Sequence, residues 1–188
     1  MAIHGLLTIE QAAQCLNAGE IIAYPTEAVF GLGCDPCNEQ AVRRLLHLKS
    51  RPLSAGLILI ADSYQRFEPF IGPVSAELQQ LAMSRWPGPV TWLFPRAASV
   101  PDWLAGSHHT IALRLTAHQT CRELCAAFGG AVVSTSANPG SAEPALTAGR
   151  VEEYFGSYLG GIVSGALGGE ERPSEILDLA SGAVIREN

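Results

Sequence analysis

Two polar segments concentrate side chains that bind anions. Lys49-Ser50-Arg51-Pro52 brings a point-like ammonium and a forked guanidinium within three residues, a combination that suits a polyphosphate whose charge shifts as a bond breaks. Lys49 is the single lysine among 12 basic residues, which favours a need for a compact, movable ammonium. Chance retention under a bias towards arginine, or a cap at a helix C-terminus, explains the same segment without a ligand.

The second segment is Ser134-Thr135-Ser136-Ala137-Asn138, with three hydroxyls and an amide in five residues. It follows an apolar stretch of strand length, and open α/β sheets bind ligands at the carboxyl ends of their strands. Ordinary turn chemistry also favours such residues, so the segment alone does not decide between a turn and a site.

Arg114 lies in a third segment, where apolar residues alternate with others. In a strand, Ile111, Leu113 and Leu115 would share one face. The arginine then falls on the opposite face and requires an anionic partner. That partner is either a carboxylate of the protein or the carboxylate of a substrate.

Several well-known sites are not supported by the sequence. Gly31-Leu32-Gly33 lacks the third glycine of a dinucleotide fingerprint, and no phosphate-binding Gly-Lys-Ser/Thr loop is present. The five histidines and the serines show no metalloprotease or hydrolase spacing. Two cysteine pairs could supply four thiolates, but one pair falls on a predicted helix, so we expect no zinc and no other protein-bound metal (Cys34, Cys37, Cys121 and Cys125).

Composition indicates one globular domain over residues 1–188, since the chain is 47% hydrophobic and long enough for a single core. Because no signal peptide or membrane span is apparent, and five cysteines suit a reducing compartment, we expect a cytoplasmic protein that does not enter membranes. The net charge of −6 disfavours bulk binding to nucleic acid.

The elements that must position these residues alternate between strand and helix. Caps and apolar periodicity predict helices over residues 8–17, 38–48, 75–84, 117–128 and 147–155. Short apolar stretches predict strands over residues 21–24, 57–61, 90–94, 110–115 and 131–134, near Ile162, and as a closing pair over 176–179 and 183–186. The order predicts an α/β fold with a twisted, open, mixed sheet and helices on both faces.

Together these segments resemble the YrdC/TsaC family of threonylcarbamoyl-AMP synthases over nearly the whole chain. The similarity rests on the stretch from Pro25 to Gly33, on Lys49-Ser50-Arg51-Pro52, on Pro87-Gly88-Pro89-Val90-Thr91, on Arg114, and on the pair Ser136 and Asn138. The resemblance implies a YrdC-like fold, in its short bacterial form, with a positively charged concave cavity.

The resemblance also implies a reaction. L-Threonine, bicarbonate or CO₂, and ATP with Mg²⁺ would give threonylcarbamoyl-adenylate and pyrophosphate, and a downstream transferase complex would use the product to modify transfer RNA. Lys49 and Arg51 would be catalytic. ATP would be bound by Lys49, Arg51, Thr110, Ser136, Asn138 and Arg186, and threonine by Thr26, Arg114, Ser134 and Ser174.

Two other functions stay open at this stage. A cationic cavity could grip an RNA backbone, as in an RNA-binding or ribosome-maturation factor, although the net charge and the lack of an aromatic and basic stripe argue for weak RNA binding at most. A carbamoyl-transfer reaction is the nearer alternative, because large carbamoyltransferases contain a similar domain.

Overall fold

The computed structural model describes residues 6–170 and 172–187, and within them ten strands form one sheet. The strands are β1 (Leu6–Leu7), β2 (Ile22–Pro25), β3 (Phe30–Gly33), β4 (Ile58–Ala61), β5 (Val90–Pro95), β6 (Thr110–Leu115), β7 (Val132–Ser136), β8 (Gly161–Val163), β9 (Glu175–Asp178) and β10 (Val184–Arg186). Their order across the sheet is β1-β8-β2-β3-β7-β4-β6-β5-β9-β10.

The sheet is mixed, as the sequence predicts. Parallel pairs join β1 to β8, β8 to β2, β4 to β6 and β5 to β9. Antiparallel pairs join β2 to β3, β3 to β7, β7 to β4, β6 to β5 and β9 to β10. The last of these pairs is the predicted closing pair of short strands.

The described residues form six α-helices, and all but α4 begin and end close to the predicted positions. They are α1 (Ile9–Asn17), α2 (Glu39–Leu48), α3 (Ala76–Ser84), α4 (Asp102–Ala105), α5 (Gln119–Phe128) and α6 (Ala148–Phe155). Thr8 and Gln11 form the predicted capping box of α1, and the Asn38 side chain caps α2. Among the described residues, no helix has the length and apolar character that a bilayer span requires.

Helices cover both faces of the sheet, which confirms the predicted fold class. Helices α1 and α5 pack on one face against a cluster that includes Ile22, Ile60 and Val132. Their chain neighbours point the opposite way, into a larger core that α2, α3, α4 and α6 cover. The alternation predicted for β6 holds, because Ile111, Leu113 and Leu115 all lie in this larger core.

The sequence prediction missed β1, α4 and, closest to the site, β3. The predicted strand ended at residue 24 and no element was predicted over residues 25–33, but β2 includes Pro25 and the chain turns back into β3. Two of the four residues of β3 are glycine, and Gly33 shows why. A Cβ at this position would lie 2.4 Å from the Val133 carbonyl oxygen and 2.8 Å from the Tyr24 ring. Glycine is needed in this strand because the tyrosine ring crosses it.

Candidate active site

A cavity of about 380 Å³ lies on the face of the sheet that α1 and α5 partly cover. Its floor is a row of four residues in register on neighbouring strands: Leu93, Ala112, Ile58 and Ser134, from β5, β6, β4 and β7. The cavity is within the size range of small-molecule sites. The β7 residue of this floor, Ser134, is the first residue of the hydroxyl-rich segment.

Strand β6 runs along the length of the cavity and gives it two ends. Arg114 lies at one end and Thr110 at the other, about 13 Å apart for four residues of extended chain. His108 and Arg51 also line the Thr110 end, where the Arg51 Nη2 donates to the Gly56 carbonyl at 2.9 Å. The Arg114 end contains Glu27.

Arg114 and Glu27 form a buried ion pair, with Arg114 Nη2 3.3 Å from Glu27 Oε2. Thr116 donates its hydroxyl to Glu27 Oε1 at 2.6 Å. Burial by itself would raise the pKa of Glu27, but the charge of Arg114 and the Thr116 hydrogen bond outweigh it, so that the pKa is lowered. Glu27 is therefore ionised at neutral pH, and Arg114 has a protein carboxylate as its partner.

Ser174 is held beside this pair by two side chains. Its hydroxyl lies 2.9 Å from the Thr91 hydroxyl, which is fully buried, and its carbonyl accepts a hydrogen bond from Arg186 Nη2 at 2.7 Å. Burial, followed by the charges of Arg114 and Arg51, lowers the pKa of Arg186, so the Arg186 guanidinium lies close enough to each of the other two to be repelled by it. An anion between them would relieve that repulsion.

Thr26 is the remaining predicted threonine ligand. It is buried and donates its hydroxyl to the Val29 carbonyl at 2.7 Å, within the turn that joins β2 to β3. Together with Ser134 and Ser174 it gives the cavity a lining of small hydroxyls near the ion pair.

Lys49 does not line the cavity but lies beneath its wall, where it is 7% exposed. As the C-cap residue of α2, it directs Nζ at the hydroxyl-rich segment and donates to Ser136 O at 2.5 Å, Asn138 O at 2.8 Å and Asn138 Oδ1 at 2.8 Å. Burial, then the charge of Arg51, lowers the pKa of Lys49 from its ordinary 10.5 to about 8.

Asn138 completes this arrangement. Its amide nitrogen donates to the carbonyls of Gly140 and Ala142, and its Oδ1 also accepts from the Ser136 hydroxyl at 2.6 Å. Lys49 and Asn138 thus fix the wall in which Ser136 faces the cavity.

The chain between β8 and β9 crosses the mouth of the Arg114 end, and we call its described residues, 164–170 and 172–174, the crossing segment. It is tied to the loop after β2 by two backbone hydrogen bonds, from Gly168 to the Thr26 carbonyl and from Glu170 to the Glu27 carbonyl. It then carries Arg172 and Ser174 to the cavity lining.

The charge of the cavity is opposite to that of the whole chain. Four arginines line it, and in the described part of the chain Glu27 is the one carboxylate that faces them (Arg51, Arg114, Arg172 and Arg186). A low-dielectric concave site with this excess of positive charge concentrates anions despite the net charge of −6.

None of the five cysteines lines this cavity, and the two pairs that are close in sequence lie on opposite faces of the sheet. Cys34 belongs to the larger core, whereas Cys121 and Cys125 lie in the cluster on the opposite face of the sheet, so the two pairs do not meet. No group of three or more metal-ligating side chains was found within residues 6–170 and 172–187.

Most of the predicted site residues come together. Eight of them line the cavity: Thr26, Arg51, Thr110, Arg114, Ser134, Ser136, Ser174 and Arg186. Sequence reasoning did not assign Glu27, Thr91 or Thr116. The one available signal was Arg114 itself, whose place on a sheet face requires an anion but does not say which of 18 acidic residues supplies it.

Comparison with known proteins decides the family. The profile of the Sua5/YciO/YrdC family, described as telomere recombination, matches residues 14–188. The chain belongs to this family. The prediction of a YrdC-like protein is confirmed.

Curated relatives in the Sua5/YciO/YrdC family carry the name of an enzyme. Threonylcarbamoyl-AMP synthase of Pseudomonas putida is 51% identical over 178 residues, which cover 95% of this chain and 96% of that protein. The protein of the same name from Halorhodospira halophila is 48% identical and covers 95% and 93%. The prediction that the chain is an enzyme is likewise confirmed.

A solved structure in the same family extends the comparison. The crystal structure of P. abyssi Sua5 complexed with L-threonine matches with a TM-score of 0.86 and 30% identity, over 94% of this chain and 52% of that one. The chain thus spans about half the length of the Sua5 protein.

Proposed function

We propose that the chain joins L-threonine, bicarbonate or CO₂, and ATP into threonylcarbamoyl-AMP with release of pyrophosphate. The observation that carries the proposal is the cavity with two chemically different ends, in a fold whose relatives bear that enzyme's name. One end pairs a buried arginine with small hydroxyls, and the other presents cations to a more open space. An amino acid and a polyphosphate require these two environments.

The threonine would occupy the Arg114 end. Thr26, Ser134 and Ser174 supply small polar groups there, and a Sua5 structure contains L-threonine. ATP would lie towards Thr110, with Arg51 and Arg186 on its phosphates and Ser136 in the wall beside it. Lys49 would act from beneath that wall, through its charge and through the positions of Ser136 and Asn138.

The reaction requires no nucleophile from the protein. The neutral threonine nitrogen adds to CO₂, or to bicarbonate with loss of water, and gives up a proton to form a carbamate. A carbamate oxygen then attacks the α-phosphorus, and the bond from the α-phosphorus to the bridging oxygen breaks as pyrophosphate leaves. Negative charge grows on the departing pyrophosphate, where the arginines stabilise it. The absence of a catalytic triad from the sequence agrees with this chemistry.

Magnesium enters as part of the MgATP substrate. Glu27, the carboxylate that lines the cavity in the described residues, lies at the Arg114 end, away from the Thr110 end proposed for the phosphates. The ion would accordingly be held by phosphate oxygens and water rather than by protein carboxylates.

The product would serve a downstream transferase complex that modifies transfer RNA. The resemblance to the family supports that role, and a cytoplasmic location stays a prediction that accompanies it.

Pyrophosphate release from MgATP tests the proposal. We expect release that needs both L-threonine and bicarbonate, with L-serine as a poorer substrate because it lacks the methyl group. If a folded protein released no pyrophosphate under any of these conditions, the proposal would be wrong. Salt-sensitive nanomolar binding of unmodified transfer RNA in a filter assay would then favour an RNA-binding factor, and consumption of carbamoyl phosphate would favour carbamoyl transfer.

A further inference from the structure

The Arg114 end of the cavity contains two buried polar atoms that have no hydrogen-bond partner within residues 6–170 and 172–187. These atoms are Glu27 Oε2 and Arg114 Nε. Each of the two residues is 8% exposed, and both line the cavity. Buried donors and acceptors in native proteins nearly always have hydrogen-bond partners. An unpartnered acceptor and an unpartnered donor on neighbouring side chains therefore indicate that a ligand supplies the missing partners.

The ion pair leaves these two buried atoms without a protein partner in the described residues. Glu27 Oε1 is occupied by the Thr116 hydroxyl at 2.6 Å. Oε2 lies 3.3 Å from Arg114 Nη2 but lacks hydrogen-bond geometry with it. The carboxylate can therefore accept a further donor, and the guanidinium can donate from Nε to a further acceptor.

We propose that Glu27 accepts a hydrogen bond from the α-ammonium group of the substrate amino acid through Oε2, while Arg114 donates from Nε to its α-carboxylate. The proposal rests on the function proposed above and adds a substrate-binding role for Glu27. A zwitterion matches the pair because it brings one positive and one negative group to a site that already contains one of each. The buried end then keeps its charge balance when it is filled.

The same carboxylate explains why the two ends take different ligands. A phosphate at the Arg114 end would face the ionised Glu27 as well as the arginine, and like charges in a buried site repel strongly. No carboxylate of the described chain lines the other end, where Arg51 and Thr110 lie. Glu27 thus directs the polyphosphate away from the amino-acid end.

The test compares L-threonine with its α-hydroxy analogue, in which a neutral hydroxyl replaces the ammonium group. Binding of each to the full chain is measured by calorimetry, in bicarbonate-free buffer with MgATP present. We expect the wild type to prefer threonine by about tenfold or more, as for a charge-assisted hydrogen bond. Equal affinity for the two ligands would overturn the proposal without any substitution.

Glu27→Gln separates contact with the ammonium from a purely structural role. We expect this variant to lose most of the preference for threonine over the α-hydroxy analogue. Glu39→Gln is the matched control, because it removes a carboxylate from an exposed ion pair with Arg43, and it should keep the full preference. If Glu27→Gln weakened both ligands by the same factor, Glu27 would act only through Arg114 and the proposal would be wrong.

A second variant, Glu27→Asp, tests the proposal if Glu27→Gln does not fold. Glu27→Asp keeps the charge but withdraws the carboxylate by one methylene group, and it too should reduce the preference for threonine. An unchanged preference in this variant would contradict the proposal. The proposed function fails separately, because that failure would appear as no threonine-dependent pyrophosphate release by the wild type.

Discussion

At the scale of single residues, Lys49 and Arg51 are neighbours with different roles. Lys49 is buried and its three hydrogen-bond donors all reach oxygens of Ser136 and Asn138. Arg51 is exposed, lines the cavity and donates to carbonyls of its own loop. The lone lysine is explained by this cage, since a compact ammonium meets three converging oxygens that a planar guanidinium could not.

Alanine substitutions should separate the two roles. We expect both Lys49→Ala and Arg51→Ala to lower turnover by about a hundredfold. Lys49→Ala should also lower the free energy of unfolding by about 3 kcal/mol, because it leaves buried oxygens without donors, whereas Arg51→Ala should cost about 1 kcal/mol or less.

The measurements are pyrophosphate release and thermal unfolding of both variants. A loss of 3 kcal/mol corresponds to a fall of roughly 6–12 °C in Tm for a domain of this size. Near-normal turnover in both variants would contradict their catalytic assignment. An unchanged Tm for Lys49→Ala would show that the cage does not stabilise the wall.

At the scale of elements, the sequence predicted those whose signals are local. Capping residues marked the starts of α1 and α2, and continuous apolar stretches marked β4 and β6. Strand β3 was not predicted because two of its four residues are glycine, which is rare in strands. The glycines are needed because the Tyr24 ring of the neighbouring strand lies against them.

The residues of the candidate site also divide into those with a local sequence signal and those without one. Arg51, Arg114 and Ser136 stand in recognisable motifs and were found. Glu27 is separated from Arg114 by 87 positions and Thr91 from Ser174 by 83, so their partnerships exist only after folding. A sequence pattern shows that a charge needs a partner, but the topology of the sheet decides which residue provides it.

The crossing segment gives the prediction at this scale. A Cβ at Gly168 would lie 2.9 Å from Glu27 Cα and 3.1 Å from the His118 ring, so a side chain there must push the segment away from Thr26 and Glu27. We expect Gly168→Val to raise the KM for threonine by about tenfold with a smaller change for ATP, since the segment covers the amino-acid end.

Steady-state kinetics with each substrate varied in turn measures this effect. Ser164→Ala is the control, because Ser164 is an exposed residue of the same segment. Equal KM values for threonine in Gly168→Val and the wild type would show that the crossing segment does not close the amino-acid end.

At the scale of the whole molecule, the chain has a net charge of −6, but four arginines line its cavity. Electrostatic attraction falls off within about 10 Å at 0.1 M salt, so an anion benefits from the four arginines only if it enters the cavity. ATP is small enough to enter, whereas the backbone of a folded RNA would meet the acidic exterior first. The charge distribution thus favours a nucleotide over a nucleic acid.

Thermal unfolding with each ligand tests this distinction. MgATP at 100 times its Kd should raise the free energy of unfolding by about 2.7 kcal/mol, and the Tm by roughly 5–10 °C. Unmodified transfer RNA at the same phosphate concentration should leave the Tm unchanged. Arg186→Ala, which removes one of the cavity cations, should need a higher MgATP concentration for the same rise. A larger rise with transfer RNA than with MgATP would contradict the nucleotide-binding assignment, because it would place the main anion-binding surface outside the cavity.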